Sequence, residues 1–221
     1  MSAIFVTATG TDIGKTFVTT GLIRNWRMAG RAVDALKPVM TGFDPVEAEG
    51  SDAGLLLKTL GRPVTPEQIE RICPWRYTAP LSPDIATRRE NRQLPFNELV
   101  AFSQRAIAAN TGTLLIEGVG GVMVPLDDEH TVLDWMAALR LPLLVVTGTY
   151  LGTLSHTLTC LDVLERRKLT VKALVVNEMP GSSVTLADTL TTLGRFVPAI
   201  PIVGLTREPD PAAFKTIADL L

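Results

Sequence analysis

Short, uniformly apolar segments that alternate with amphipathic helical stretches, and a glycine-rich loop between the first pair, predict an α/β chain. Its expected architecture is a largely parallel central sheet with helices on both faces. The segments 3–6, 32–39, 113–117, 141–146, 171–176 and 200–205 are apolar almost throughout, and apolar residues recur at helical spacing between them. With 221 residues, 46% of them hydrophobic, the chain is long enough for one sizeable core and short for two. Residues 1–221 are therefore read as a single domain.

The first apolar segment, 3–6, leads into ATGTDIGKT at 8–16, after which Val18, Leu22, Trp26 and Ala29 fall on one helical face. Strand, glycine-rich loop and helix form the setting that a phosphate-binding loop needs. Gly10 and Gly14 let backbone N–H groups approach phosphate oxygens, which the dipole of the following helix also favours. Lys15 is placed to neutralise phosphate charge and Thr16 to hold Mg²⁺ through its hydroxyl. The strict pattern G-x-x-x-x-G-K-[ST] asks for glycine where Thr9 stands, so a glycine-rich turn without a ligand is the plain alternative. The flanking strand and helix favour a phosphate loop of altered spacing, and with it a P-loop NTPase domain.

Further along, Gly30 stops the helix, and 32–39 reads as a second strand ended by Pro38, with Lys37 at its carboxyl end. Residues 40–51 read as a loop, and 52–60 as a short helix closed by Gly61, with Asp52 in its first turn. Prolines 63, 66, 74, 80 and 83 make 62–94 an irregular connection with short helical pieces. Pro95 opens a helix carrying the stripe Leu99, Phe102, Ala106 and Ala109. Strand 113–117 then delivers Glu117 into a second glycine turn, GVGG. The last helices are marked by Leu154, Leu158, Leu161 and Leu164, and by Leu186, Leu190 and Leu193.

Right-handed crossovers gather the carboxyl ends of parallel strands at one edge, where ligands bind. That edge is expected to carry the phosphate loop, Lys37, Glu117, the turn beginning at Tyr150, and Asn177. Two lysines beside a triphosphate would stabilise a transferring phosphoryl group, although a strand-end lysine can also simply be solvated. Asp52 is either a Mg²⁺ ligand or an ordinary carboxylate at a helix start. Glu117, ending an apolar strand, needs a partner. Asn177 either reads a base edge or stabilises a turn or helix start. His130 and His156 have no nucleophile or metal partner at recognisable spacing and read as structural.

Composition narrows the partners. A formal net charge of −2 without any Lys/Arg block speaks against nucleic acid. Cys73 and Cys160, at no metal-ligand spacing, suit a reducing compartment. No leader pattern opens the chain and no apolar run reaches a membrane span, so a cytoplasmic protein with no membrane partner is expected.

The motifs FVTATGTDIGKT at 5–16, LKPVMTG at 36–42, SDA at 51–53, APLSPDIA at 79–86, IEGVGGVMVPL at 116–126, LGTLSHTL at 151–158 and VVN at 175–177 span most of the chain. Their types and order resemble the dethiobiotin synthetase family, ATP-dependent enzymes of biotin synthesis. The resemblance implies ATP and Mg²⁺, with CO₂ and the small diamine 7,8-diaminopelargonic acid as substrates. One amine takes up CO₂ as a carbamate, ATP phosphorylates it, and the other amine closes the ureido ring, giving dethiobiotin, ADP and phosphate.

By the same resemblance, Lys15 and Lys37 bracket the carbamate and the γ-phosphate, with the Thr41 hydroxyl where a serine is usual. Asp12, Ile13, Gly14, Lys15, Thr16 and Phe17 hold the nucleotide, and Asn177 contacts adenine. Thr16, Asp52 and Glu117 hold Mg²⁺, and Thr11, Gly118, Val119, Gly120 and Gly121 line the substrate. Tyr150, Leu151, Gly152, Thr153 and Ser155 form the turn that grips the distal carboxylate from the neighbouring subunit of a homodimer. Here the chain departs from its relatives, with Tyr150 where a basic residue is common and Ser155 in place of asparagine. The carboxylate then falls to the helix start at 152–155 and to the Thr153 and Ser155 hydroxyls. Two alternatives stand beside this reading. One is an amide-forming ligase resembling the synthetase part of cobyrinic or cobyric acid amidases, which generally carry a glutaminase domain as well. The other is a partitioning or cell-division ATPase that works as a nucleotide-switched dimer.

Overall fold

A computed structural model of the chain describes residues 2–208 and 211–221. Strand β1 (Ser2–Ala8) runs through the phosphate loop into helix α1 (Lys15–Met28), and β2 (Val33–Leu36) follows. A two-residue strand, β3 (Val39–Met40), precedes α2 (Asp52–Thr59) and α3 (Pro66–Ile72), and β4 (Trp75–Arg76) precedes α4 (Pro83–Arg89) and α5 (Phe96–Ala109). Then come β5 (Thr113–Glu117), α6 (Val132–Leu139), β6 (Leu143–Gly148) and α7 (Thr153–Arg166). The order closes with β7 (Val171–Asn177), α8 (Leu186–Phe196), β8 (Ile202–Leu205) and α9 (Pro211–Leu220).

Six of the strands form one sheet in the order β2-β5-β1-β6-β7-β8, and every pairing in it is parallel. Strands β5 and β6 are buried at every residue, which requires cover on both faces of the sheet. The core is close-packed around such pairs as Phe5 and Trp135, whose rings meet edge to face at 4.8 Å between centroids. The Trp135 indole N–H donates to the buried Ser103 hydroxyl at 3.2 Å, so its one polar atom is satisfied. The chain visits β2 and β5 on one side of β1 and then crosses to β6 on the other. This reversal opens a crevice at the carboxyl end of β1, where the phosphate loop lies.

Three features depart from the expectations. The strand expected at 32–39 breaks at Lys37-Pro38 into β2, in the main sheet, and β3, which pairs with β4 in a separate two-stranded sheet. Proline lacks a ladder donor, and its carbonyl instead accepts the Trp75 N–H at 3.1 Å. Helix α6 was not anticipated, because its apolar residues run almost directly into β6 and its periodicity merges with the strand's. Helix α9, which the expected elements did not include, packs on α1 at Gly21: a Cβ there would lie 2.0 Å from the Phe214 ring. No helix among the described residues is long and apolar enough to cross a membrane.

Candidate functional site

The phosphate loop is shaped by its glycines. Gly14 has φ 98°, a conformation L side chains rarely adopt, and a Cβ on it would meet the Asn177 amide nitrogen at 2.3 Å. It precedes the first turn of α1, so the free N–H groups of that turn point into the crevice. Thr9 N–H donates to Val146 O at 3.0 Å and Val122 N–H to Ala8 O at 3.1 Å, which pins the loop between β6 and the GVGG turn. The buried Lys15 ammonium donates to Gly120 O at 2.8 Å and Gly10 O at 3.2 Å, spanning the loop's mouth. Burial, and then the neighbouring Lys37, lower its pKa from 10.5 to about 8.

Strand β5 brings Glu117, fully buried, to the centre of the site. Its Oε1 accepts from the Thr16 hydroxyl at 2.7 Å and from the Lys37 ammonium at 2.7 Å. Lys37, 3% exposed, also donates to Gly118 O at 3.0 Å and pairs with Asp52 Oδ2 at 2.9 Å. Burial works against the Lys37 charge, but Glu117 and Asp52 outweigh it and hold its pKa above the ordinary lysine value. For Asp52, burial opposes ionisation and Lys37 overcomes it, so the carboxyl is held below its usual range. Proline after Lys37 ends the main-sheet strand there, and Asp52 stands in the first turn of α2, capped by Ser51.

Lys15, Thr16, Lys37 and Asp52 share one cavity of about 310 Å³, lined also by Thr11, Asp12, Gly14, Met40, Thr41, Val119 and Gly120. The other Glu117 oxygen, Oε2, is buried without a partner. An orphaned carboxylate oxygen beside a hydroxyl and a second carboxylate suits a hard, oxygen-seeking cation such as Mg²⁺. Among the described residues no cluster of three His, Cys, Asp or Glu could hold a metal by itself. A cation here would draw its remaining ligands from phosphate and water, as Mg²⁺ commonly does.

The remaining expected residues lie around this cavity. Asn177 closes β7 and donates its amide N–H to Ile13 O at 3.1 Å, on the outer side of the loop. Phe17 is exposed and meets Phe214 edge to face at 5.9 Å. Gly118 and Gly121 supply the backbone of the turn behind Val119 and Gly120. Tyr150, Leu151, Gly152, Thr153 and Ser155 stand outside the cavity, at the start of α7. One expectation is corrected there: the Thr153 hydroxyl is buried and donates inward to Gly148 O, so of the Thr153 and Ser155 hydroxyls only that of Ser155 is at the surface. Sequence reasoning missed Met40 in the cavity lining and the partners of both histidines. His130 bonds Asp127 at 3.0 Å and stacks on Phe96, and His156 bonds Tyr150 at 3.0 Å. The only advance signal was their nearness in the chain to Asp127 and Tyr150.

A parallel sheet whose first strand feeds a glycine loop, with a lysine and a hydroxyl opening the next helix and a carboxylate ending a neighbouring strand, defines a P-loop nucleotide-binding protein. Solved structures share the fold: a ParA family ATPase from Chlorobium tepidum has TM-score 0.54 at 13% identity, covering all of this chain and 92% of that one. The cell division ATPase MinD of Pyrococcus furiosus has TM-score 0.53 at 18% identity, covering all of this chain and 89% of that one. Sequence comparison is more specific. The family described as AAA domain matches residues 2–206. The ATP-dependent dethiobiotin synthetase BioD of Acidiphilium cryptum is 47% identical over 91% of both chains, and that of Phenylobacterium zucineum 43% identical over all of this chain and 95% of its own. The chain belongs to the ATP-dependent dethiobiotin synthetase family.

Proposed function

We propose that this chain converts 7,8-diaminopelargonic acid, CO₂ and ATP to dethiobiotin, ADP and phosphate. The observation that carries the reading is the convergence of Lys15, Thr16, Lys37 and Asp52 in one cavity beside the phosphate loop, with the half-satisfied Glu117 buried against Thr16 and Lys37. Thr16, Asp52 and Glu117 would hold Mg²⁺, which when bound screens phosphate charge. The loop from Asp12 to Phe17 holds the nucleotide phosphates through its N–H groups and the Lys15 ammonium. The carbamate formed on one amine attacks the γ-phosphate, releasing ADP. The second amine then attacks the carbonyl of the mixed carbamic-phosphoric anhydride and expels phosphate, closing the ring. Lys15 and Lys37 face the negative charge that develops on the transferred group, and Thr41 offers a hydroxyl to the carbamate. No strong side-chain base is required, since the substrate's amines are the nucleophiles; positioning and fixed charge supply the rate.

In this reading Asn177 contacts the base, and Thr11 with residues 118–121 lines the diamine. Residues 1–221 act as one domain, in a cytoplasmic homodimer whose partner brings the turn at Tyr150 to Ser155 to the substrate. The exposed Leu151 in that turn supports the dimer, whose mass light scattering in solution would measure. The central test is fixation of labelled bicarbonate into an acid-stable product with 7,8-diaminopelargonic acid, ATP and Mg²⁺. Labelled dethiobiotin is expected. ATP binding without any product would remove this diamine as substrate, and hydrolysis indifferent to the diamine would favour a nucleotide switch.

A further inference from the structure

The Tyr150 hydroxyl, just ahead of α7, is turned back toward the phosphate loop. It lies 3.3 Å from the Thr9 hydroxyl and 3.0 Å from His156 Nδ1. Thr9 in turn lies 3.0 Å from the Thr147 hydroxyl, which is 3.1 Å from Thr153 and 2.8 Å from Thr157. Thr147, Thr153 and Thr157 are buried, so each must be satisfied within the protein.

Counting hydrogens fixes the direction of this chain, because each hydroxyl has one to give. The Thr153 hydrogen goes to Gly148 O, so Thr147 donates to Thr153. Having spent its hydrogen, Thr147 accepts from both Thr157 and Thr9. Thr9 must then accept from Tyr150, and Tyr150 from His156, whose Nδ1 carries the hydrogen. Any other assignment leaves one contact without a hydrogen. The chain thus runs one way, from an exposed imidazole through Tyr150 to the first residue of the loop and into the core. Thr9 is bonded covalently to Gly10, whose carbonyl receives Lys15.

We propose that Tyr150 and His156 are positioning residues for the phosphate loop: the polarised hydroxyl chain holds Thr9, and with it the Gly10 carbonyl and Lys15, in the geometry that receives ATP. The proposal rests on the nucleotide-binding reading of the loop and goes beyond it by adding residues from the start of α7. It does not depend on which substrate is carboxylated.

The test reads the His156 tautomer by ¹⁵N NMR of the ligand-free protein and the affinity for Mg·ATP by calorimetry. Neutral His156 is expected to carry its hydrogen on Nδ1 in the wild type and to lose that preference in Tyr150→Phe. Tyr150→Phe and Thr9→Val should each weaken ATP binding about three- to tenfold, the scale of one net hydrogen bond. The double variant should be no weaker than Thr9→Val alone, since that change already breaks the Tyr150–Thr9 link, and Thr9→Ser should bind like the wild type. A hydrogen on Nε2 in the wild type, unchanged affinity in Tyr150→Phe, or additive losses would overturn the proposal while leaving the nucleotide reading intact. A wild-type protein that binds no Mg·ATP would overturn both.

Discussion

Lys37 sits between Glu117 and Asp52 with both carboxylates within 2.9 Å, and the two together hold its charge against burial. Truncation by Lys37→Ala therefore has two separable effects. Turnover should fall by about 10²- to 10³-fold, the scale of one lost preorganised donor. Glu117, fully buried, would also lose its cation, at about 3 kcal/mol of stability. Adding Glu117→Gln should recover much of the melting temperature and none of the turnover; near-normal turnover in Lys37→Ala would remove that lysine from the mechanism. Lys15 gives a pH signature. Its folded pKa of about 8 lies below the ordinary 10.5, so the unfolded chain keeps the proton longer, and this residue's contribution to stability rises with pH between those values. Phosphate beside the ammonium reverses the shift. ATP binding at pH 8.5 should therefore take up protons, measurable by calorimetry in buffers of different ionisation heat, and at pH 6.5 should take up none through Lys15. Equal proton uptake at both values would contradict this account.

The phosphate loop works as a unit because its backbone is over-determined. Gly14→Ala would force a side chain into φ 98° at about 1–2 kcal/mol and drive its Cβ against Asn177. ATP affinity should drop more than tenfold while the melting temperature falls by only a few degrees; unchanged affinity would mean that the loop tolerates displacement of Asn177. Elements were legible in the sequence where periodicity was local and uninterrupted. Strand β5 occupies the expected 113–117, and α5 follows Pro95 as its stripe required. The pairing of β3 with β4 was not legible, because two-residue strands carry no period of their own and form only when Val39 and Trp75 meet. The same holds for α9, whose seat depends on the bare backbone of Gly21 in a distant helix.

Across the molecule, packing buries both thiols on which the expectation of a reducing compartment rested. Burial pushes the Cys73 and Cys160 thiols up to about 12, so neither should react with a thiol reagent at pH 8 in the folded state. Both should react in denaturant, and fast reaction of either in native buffer would show that the core opens there. The arrangement of the site follows from the same sheet. Lys15, Lys37 and Glu117 were each visible as strand-end or loop residues, and parallel topology was enough to expect them at one edge. What joins Tyr150 to Thr9 was not visible, because a tyrosine near a helix start carries no local mark of the residue it will bond. Strand order, with β1 between β5 and β6, brings those two side chains together. Apolar periodicity and glycine placement encode short-range geometry, and so they settled the fold class and the loop. The link from Tyr150 to Thr9, the direction it gives the hydroxyl chain and the surroundings of the unpartnered Glu117 oxygen join residues far apart in the chain, and packing of the folded sheet decided them.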